Sequence, residues 1–349
     1  MAIVDLFVLG APPWKTLDPF LFCVHHHDAY PKGDGQFRPK ASLAGRAIGQ
    51  DFSGKDGWSM YHGRQVPGFP QHPHRGFETV TLARQGFIDH SDSLGAKARF
   101  GNGDVQWMTA GAGIVHSEMF PLLNTEADNP AELFQIWLNL PASDKLVPPY
   151  FTMMWAETLP QVHATDASGR QTHIRIIAGS LDDQSAPMPP PNSWAARPSS
   201  DLSIQTISLD PNAQWTLPPC TPGANRTLYF FAGDTLTLWG QTIPRGHGIR
   251  LQPNVATPIQ NGPQPTELLL LQGAPIREPV ANYGPFVMNT RDELVTAFAD
   301  YQRTGFGGWP WPEAGPVHGP HPQRFAIHPD GREDRPPSPT QDIAKTDAL

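Results

Sequence analysis

The sequence predicts an all-β protein: two jelly-roll-like β-barrels in tandem, one C-terminal helix and a flexible Pro-rich tail. Three observations lead there. Among 349 residues there are 40 prolines and 32 glycines but few long helical patterns, which calls for many short strands joined by tight turns. Short apolar runs separated by glycine turns recur, as in SLGAKARFGNGDVQWM. The two halves also resemble each other: Thr79-Val80-Thr81-Leu82, ending at Gly86, is similar to Thr227-Leu228-Tyr229-Phe230, ending at Gly233. The expected units are 1–150 and 151–285 for the barrels, 286–306 for the helix and 307–349 for the tail.

Taken in order, Ile3 to Val24 alternates short apolar runs with turns, and His25-His26-His27-Asp28 follows as a polar loop at the barrel mouth. His25 and His27 could share one strand face, but no acidic or cysteine partner stands at a defined spacing. Between Tyr30 and Gly68, KGDGQFRPK reads as a turn or loop and AGRAIGQDF as a possible short strand. Phe77 to Leu82 then alternates as a strand ending at Gly86, and Phe87-Ile88-Asp89-His90 starts another. AELFQIWLNLP is a further strand, and KLVPPYFTMMWAETLPQV is the linker between halves. Beyond Thr172 the barrel pattern returns through TELLLLQG. Thr290 and Glu293 form a capping box, Leu294, Ala297, Phe298 and Tyr301 repeat at helical spacing, and Gly305 terminates the helix. From Gly307 the chain is Pro-, Gly- and His-rich without periodicity, which reads as flexible or merely draped on the surface.

Composition excludes several classes. The chain has 25 basic and 33 acidic residues, a formal charge of −8, and no Lys/Arg run, so direct nucleic-acid binding is not expected. Cys23 and Cys220 match no zinc or redox spacing, which suits a reducing cytoplasm. The first residues lack a signal core, and no apolar stretch approaches a membrane span.

Chemistry concentrates between Gly68 and Glu118. On a strand, residues two apart point the same way, so His72 and His74 share a face, as do His116 and Glu118. If their strands meet inside the first barrel, three imidazoles and a carboxylate converge as a metal site. The bland alternative is a solvated rim of residues that never meet. The second half has PPCTPGAN where a His-x-His would stand, and His173 and His247 are single, so its barrel is expected to be metal-free.

GFPQHPHRGFETVT, GDVQWMTAGAGIVHSEM and EPVANYGPFVMNTRDEL resemble the pirin family of the cupin superfamily, from about Leu17 to Tyr301. The departures are HHHD, the proline-rich stretch 186–198 and the tail. The resemblance implies a bicupin, two stacked cupin barrels with one metal, usually iron, held by His72, His74, His116 and Glu118. It also implies quercetin 2,3-dioxygenase activity or, in eukaryotes, transcriptional co-regulation.

Three imidazoles and a carboxylate suit Fe(II), Mn, Ni or Cu, with Zn ranked lower because no cysteine is near. Glu78 competes for the carboxylate position: it is in phase with His72 and His74 on an ideal strand, and many other cupins place their ligand glutamate there. The resemblance favours Glu118, leaving Glu78 to pair with Arg75 or orient a ligand histidine. Were the protein a dioxygenase, a flavonol would bind the metal, Glu118 or Glu78 would remove its hydroxyl proton, and oxidative cleavage would release carbon monoxide. Phe69, Phe77 and Trp107 either line the pocket or belong to the core. The competing classes are an oxygenase acting on a small aromatic with dioxygen, an iron- and redox-responsive regulator with a protein partner, and a metal protein without turnover. A monomer is expected, because fused barrels bury against each other what single barrels bury in a dimer.

Overall fold

The computed structural model describes residues 2–337. Ten strands open the chain: β1 (Ile3–Val8), β2 (Phe20–Asp28), β3 (Gly68–His74), β4 (Phe77–Gln85), β5 (Phe87–Asp92), β6 (Lys97–Gly101), β7 (Asp104–Thr109), β8 (Ile114–Met119), β9 (Ala131–Asn139) and β10 (Tyr150–Met154). Nine of them build the first barrel from two antiparallel sheets. One has the order β10-β7-β4-β9-β2, and the other carries β6-β5-β8-β3. The expected strand, turn and Gly-Asn-Gly signals between Phe77 and Thr109 fall on β4 to β7. AGRAIGQDF, expected as a short strand, has only turns and an isolated bridge at Asp51.

The second barrel repeats the plan. Its larger sheet orders β1, 247–251, 225–232, 266–273, 203–209, β12 (Gln171–Ala178) and β11 (Gln161–Thr165), and four short strands between 214 and 261 cover its far face. The two large sheets pack face to face through one shared core. Val80, Leu82, Trp107, Phe134 and Ile136 come from the first barrel and Ile204, Tyr229, Leu269 and Leu271 from the second. Each fully buried side chain of this size contributes about 1.5–3 kcal/mol relative to exposure.

The duplication has a definite register. In β4 a bulge separates Ala83, opposite Leu133, from Gln85, opposite Glu132. In strand 225–232 a bulge separates Phe230, opposite Leu268, from Ala232, opposite Glu267. Aligning these bulges sets Gly86 on Gly233 and Thr81 on Leu228. The tetrapeptide match drawn from the sequence is therefore one residue out of phase, which on a strand exchanges the two faces.

Three expected boundaries shift. Strand β1 lies in the first unit by sequence yet pairs with His247–Leu251 of the second barrel, where its backbone covers a free sheet edge. Part of the supposed linker is β10, which pairs with β7. The expected helix 286–306 begins with a short strand, Phe286–Met288, and α1 itself spans Arg291–Thr304. Its capping box is present, with Thr290 N–H donating to Glu293 Oε2 at 2.8 Å and Glu293 N–H to Thr290 Oγ1 at 3.2 Å.

The tail is not loose where it is described. Phe325–Ile327 pairs with β6, adding a strand to the first barrel. The cause is Arg99, fully buried and forked onto Asp89 at 2.7 and 2.6 Å. A buried guanidinium needs acceptors for its remaining N–H groups, and the carbonyls of Gly319 and His321 supply them. The part of the expected tail from 338 to 349 lies outside the described residues.

Candidate metal centre

Strands β3 and β8 are antiparallel neighbours, with His72 directly opposite His116. A register shift between Phe69 and His72 sets Phe69 opposite Glu118. Strand parity then gives all four expected ligands one face, toward the barrel interior. The ligating nitrogens of His72, His74 and His116 lie within 4.8 Å of one another. The nearest Glu118 oxygen is 3.9 Å from His116 Nε2. The Thr81 hydroxyl shares its one proton between Glu118 Oε1 at 3.0 Å and Gln135 Oε1 at 2.5 Å, and Gln135 Nε2 donates to Glu118 Oε2 at 2.9 Å, so the carboxylate is held from β4 and β9.

The imidazoles are short of partners. His116 is fully buried, and neither of its ring nitrogens has a hydrogen-bond partner; His74 Nδ1 has none either. His72 Nδ1 donates to the Pro70 carbonyl at 2.8 Å, which leaves Nε2 with its lone pair. Burial lowers the His72 pKa to about 4 and pushes those of His74 and His116 well below the usual value. All three are neutral at pH 7, as a metal ligand must be. A buried polar group without a partner costs about 1–3 kcal/mol. An electron-pair acceptor at the point where three lone pairs meet removes that cost, so the donor set fits a divalent ion.

The centre lies at one side of a cavity of about 650 Å³. Phe22, Phe69, Phe120 and Trp137 give it aromatic walls, and Thr81, Gln135 and His26 give it polar points. Burial raises the pKa of Glu118, and its two hydrogen bonds oppose that rise.

Glu78 is elsewhere. The ideal strand running from His72 through Glu78 breaks at Gly76, whose φ of 83° turns the chain from β3 into β4 of the other sheet. Glu78 accepts from Thr109 Oγ1 at 2.6 Å and from Ser193 Oγ at 2.5 Å, and it is absent from the cavity wall. Arg75, its suggested partner, pairs with Asp300 on α1 at 2.9 Å. Of the aromatic residues considered, Phe69 lines the cavity, Phe77 packs tilted against Trp137 and edge-on to His74, and Trp107 sits in the core between the barrels.

Several functional neighbours escaped sequence reasoning. The triple histidine is strand β2, not a loop. His25 pairs with Glu132 at 2.9 Å, while the central His26 faces the cavity and binds Tyr61 OH at 2.9 Å. His90, fully buried behind the site, reaches Asp92 at 3.2 Å with its ring 5.5 Å from His116. Its spacing of two from Asp92, the same as in the ligand pairs, was the available signal. In the second barrel His173 is not alone: His163 stands opposite it, Nδ1 to Nδ1 at 2.6 Å, on the exposed surface. The interior there is filled by Leu228, Phe230, Leu236, Ile249 and Leu270, and the residue matching Thr81 is Leu228.

Among the described residues, no helix is long and apolar enough to cross a membrane. Comparison with known proteins adds two family matches: residues 38–138 match the model described as Pirin, and 204–307 the Pirin C-terminal cupin domain. A pirin-like protein of Solanum lycopersicum is 35% identical over 247 residues, 69% of this chain and 78% of that protein. Human pirin is 32% identical over 252 residues, covering 71% and 80%. A crystal structure of quercetin 2,3-dioxygenase from Acinetobacter baumannii superposes with a TM-score of 0.66 at 27% identity, covering 88% of this chain and 96% of that one.

Proposed function

Because this chain belongs to the pirin family of bicupins, we propose that it is a metal-dependent dioxygenase acting on quercetin or a related flavonol, with Fe(II) as its ion. The observation that carries the reading is the meeting of three neutral histidines, His116 with neither ring nitrogen partnered, and one tethered carboxylate at an aromatic-walled cavity. Similarity to a solved quercetin 2,3-dioxygenase supports the substrate class.

His72, His74, His116 and Glu118 would hold the ion. When bound, a redox-active divalent ion supplies Lewis acidity and a means of engaging dioxygen. The chain's own residues do the rest. Glu118, whose pKa burial raises, accepts the flavonol hydroxyl proton at a carboxylate oxygen. Thr81 and Gln135 fix that carboxylate, so it does not reorganise as the proton arrives. Phe22, Phe69 and Trp137 clasp a planar ring system and exclude water from it.

The test is an iron-loaded sample incubated with quercetin, first without oxygen and then with it. Oxygen-dependent bleaching that disappears in His72→Ala is expected. Absence of turnover with any flavonol, together with capture of a protein that depends on the iron's oxidation state, would replace this reading with the regulatory one.

A further inference from the structure

One wall of the metal cavity comes from the tail. Both family matches end by residue 307, yet Glu313, Ala314 and Gly315 line the cavity beside the centre. Between Gly308 and His321 the tail forms a strap tied down at both ends. Upstream, Trp311 Nε1 donates to the Asp92 carbonyl at 2.8 Å. Downstream, His318 N–H donates to Asp89 Oδ2 at 2.8 Å, and Arg99 grips the Gly319 carbonyl at 2.8 Å. Midway, Gln71 N–H donates to the Ala314 carbonyl at 2.6 Å, one residue before the ligand His72. The strap therefore closes on the free edge of β3, the end strand of its sheet.

Of the strap, Glu313, Ala314 and Gly315 reach the cavity, and the last two are small; the bulky Trp309, Pro310, Trp311 and Pro312 lie off its lining. A Cβ at Gly315 would come within 2.6 Å of the sulfur of Met119, another wall residue, so that side chain would have to shift. Small residues here preserve a volume of about 650 Å³, the range of drug-sized ligands and more than one aromatic ring requires.

We propose that the strap segment Glu313–Gly315 is the selectivity wall of the site, keeping the cavity long enough for a planar polyphenol of more than one ring. This rests on the flavonol reading above and adds the element that sizes the ligand. Glu313 and Arg64 are both exposed and both on the lining.

The experiment compares binding of quercetin and of catechol to the metal-loaded full-length chain, by fluorescence quenching, in the parent, Ala314→Trp and Gly315→Leu. Metal content of each sample is measured alongside. The expected result is quercetin affinity reduced about tenfold or more, with catechol affinity and metal content within about twofold of the parent. Trp311→Ala, which removes a strap anchor without touching the lining, should likewise lower the quercetin-to-catechol affinity ratio while the ion is retained. Equal loss of both ligands, or no change in either, in the two wall variants overturns the assignment while leaving the flavonol reading intact. A parent that binds catechol but not quercetin sinks the flavonol reading and this inference with it.

Discussion

His72 and His116 stand directly opposite each other on adjacent antiparallel strands, with ring centroids 4.5 Å apart. That one pairing fixes the centre. Parity carries His74 and Glu118 onto the same face, and the barrel's second sheet brings Thr81 and Gln135 to meet the carboxylate.

A purely structural histidine and a ligand respond differently to removal. For His116→Ala we expect loss of the bound metal, while the metal-free protein loses under about 2 kcal/mol. The vacated space costs packing, but two buried nitrogens without partners are removed with it. Urea unfolding of the metal-free parent and variant checks this. A loss of about 3–5 kcal/mol, as for an aromatic core residue, would mark His116 as packing instead.

Support of the carboxylate is the next expectation. Thr81→Val keeps shape but withdraws the hydrogen bond to Glu118, and metal affinity should fall about 10–100-fold. Competition against a calibrated chelator measures it. Leu82→Val, one residue away but facing the other barrel, should leave affinity unchanged.

Glu78 supplies a pH signature. Its folded pKa, raised by burial to about 7, exceeds the ordinary 4.5, so the folded state binds the extra proton between those values. Stability from this group is present below about pH 4.5 and is lost as pH rises through 7, by about 3 kcal/mol in all. Glu78→Gln should flatten that slope: the amide keeps one oxygen to accept from one of the two hydroxyls of Thr109 and Ser193, and its NH2 can donate to the other. Unfolding midpoints of parent and variant at pH 5 and pH 8 give the difference; parallel slopes would show that Glu78 does not titrate as described.

Gly76 separates the ligand strand from β4. It adopts φ 83°, and a Cβ there would lie 1.9 Å from the Val287 carbonyl oxygen. Gly76→Ala should destabilise by about 2–4 kcal/mol and weaken metal binding, because His74 moves with the turn. Thermal unfolding and metal titration test both. Pro73→Ala, within β3 and between the histidines, should do far less.

Legibility in the sequence followed the range of the physics. The His-x-His and His-x-Glu pairs could be read because strand parity is local, and the helix at Arg291 because its capping box and the steps of its apolar stripe each link residues no more than four apart. Glu78 was misplaced because the break before it depends on contact with Val287, some two hundred residues on. The tail gave no pattern because its order comes from the unmet needs of Arg99, a residue of another barrel strand. Within His25-His26-His27, which face points inward depends on pairing with β9, so the one that reaches the cavity could not be chosen in advance.

The central claim is that His72, His74, His116 and Glu118 grip one cation. Metal content per chain, measured after loading and exhaustive desalting, tests it most directly in the parent and in single alanine variants of the three histidines. One equivalent is expected in the parent and none in any variant; retention of a full equivalent when His72, His74 or His116 is replaced would refute the site.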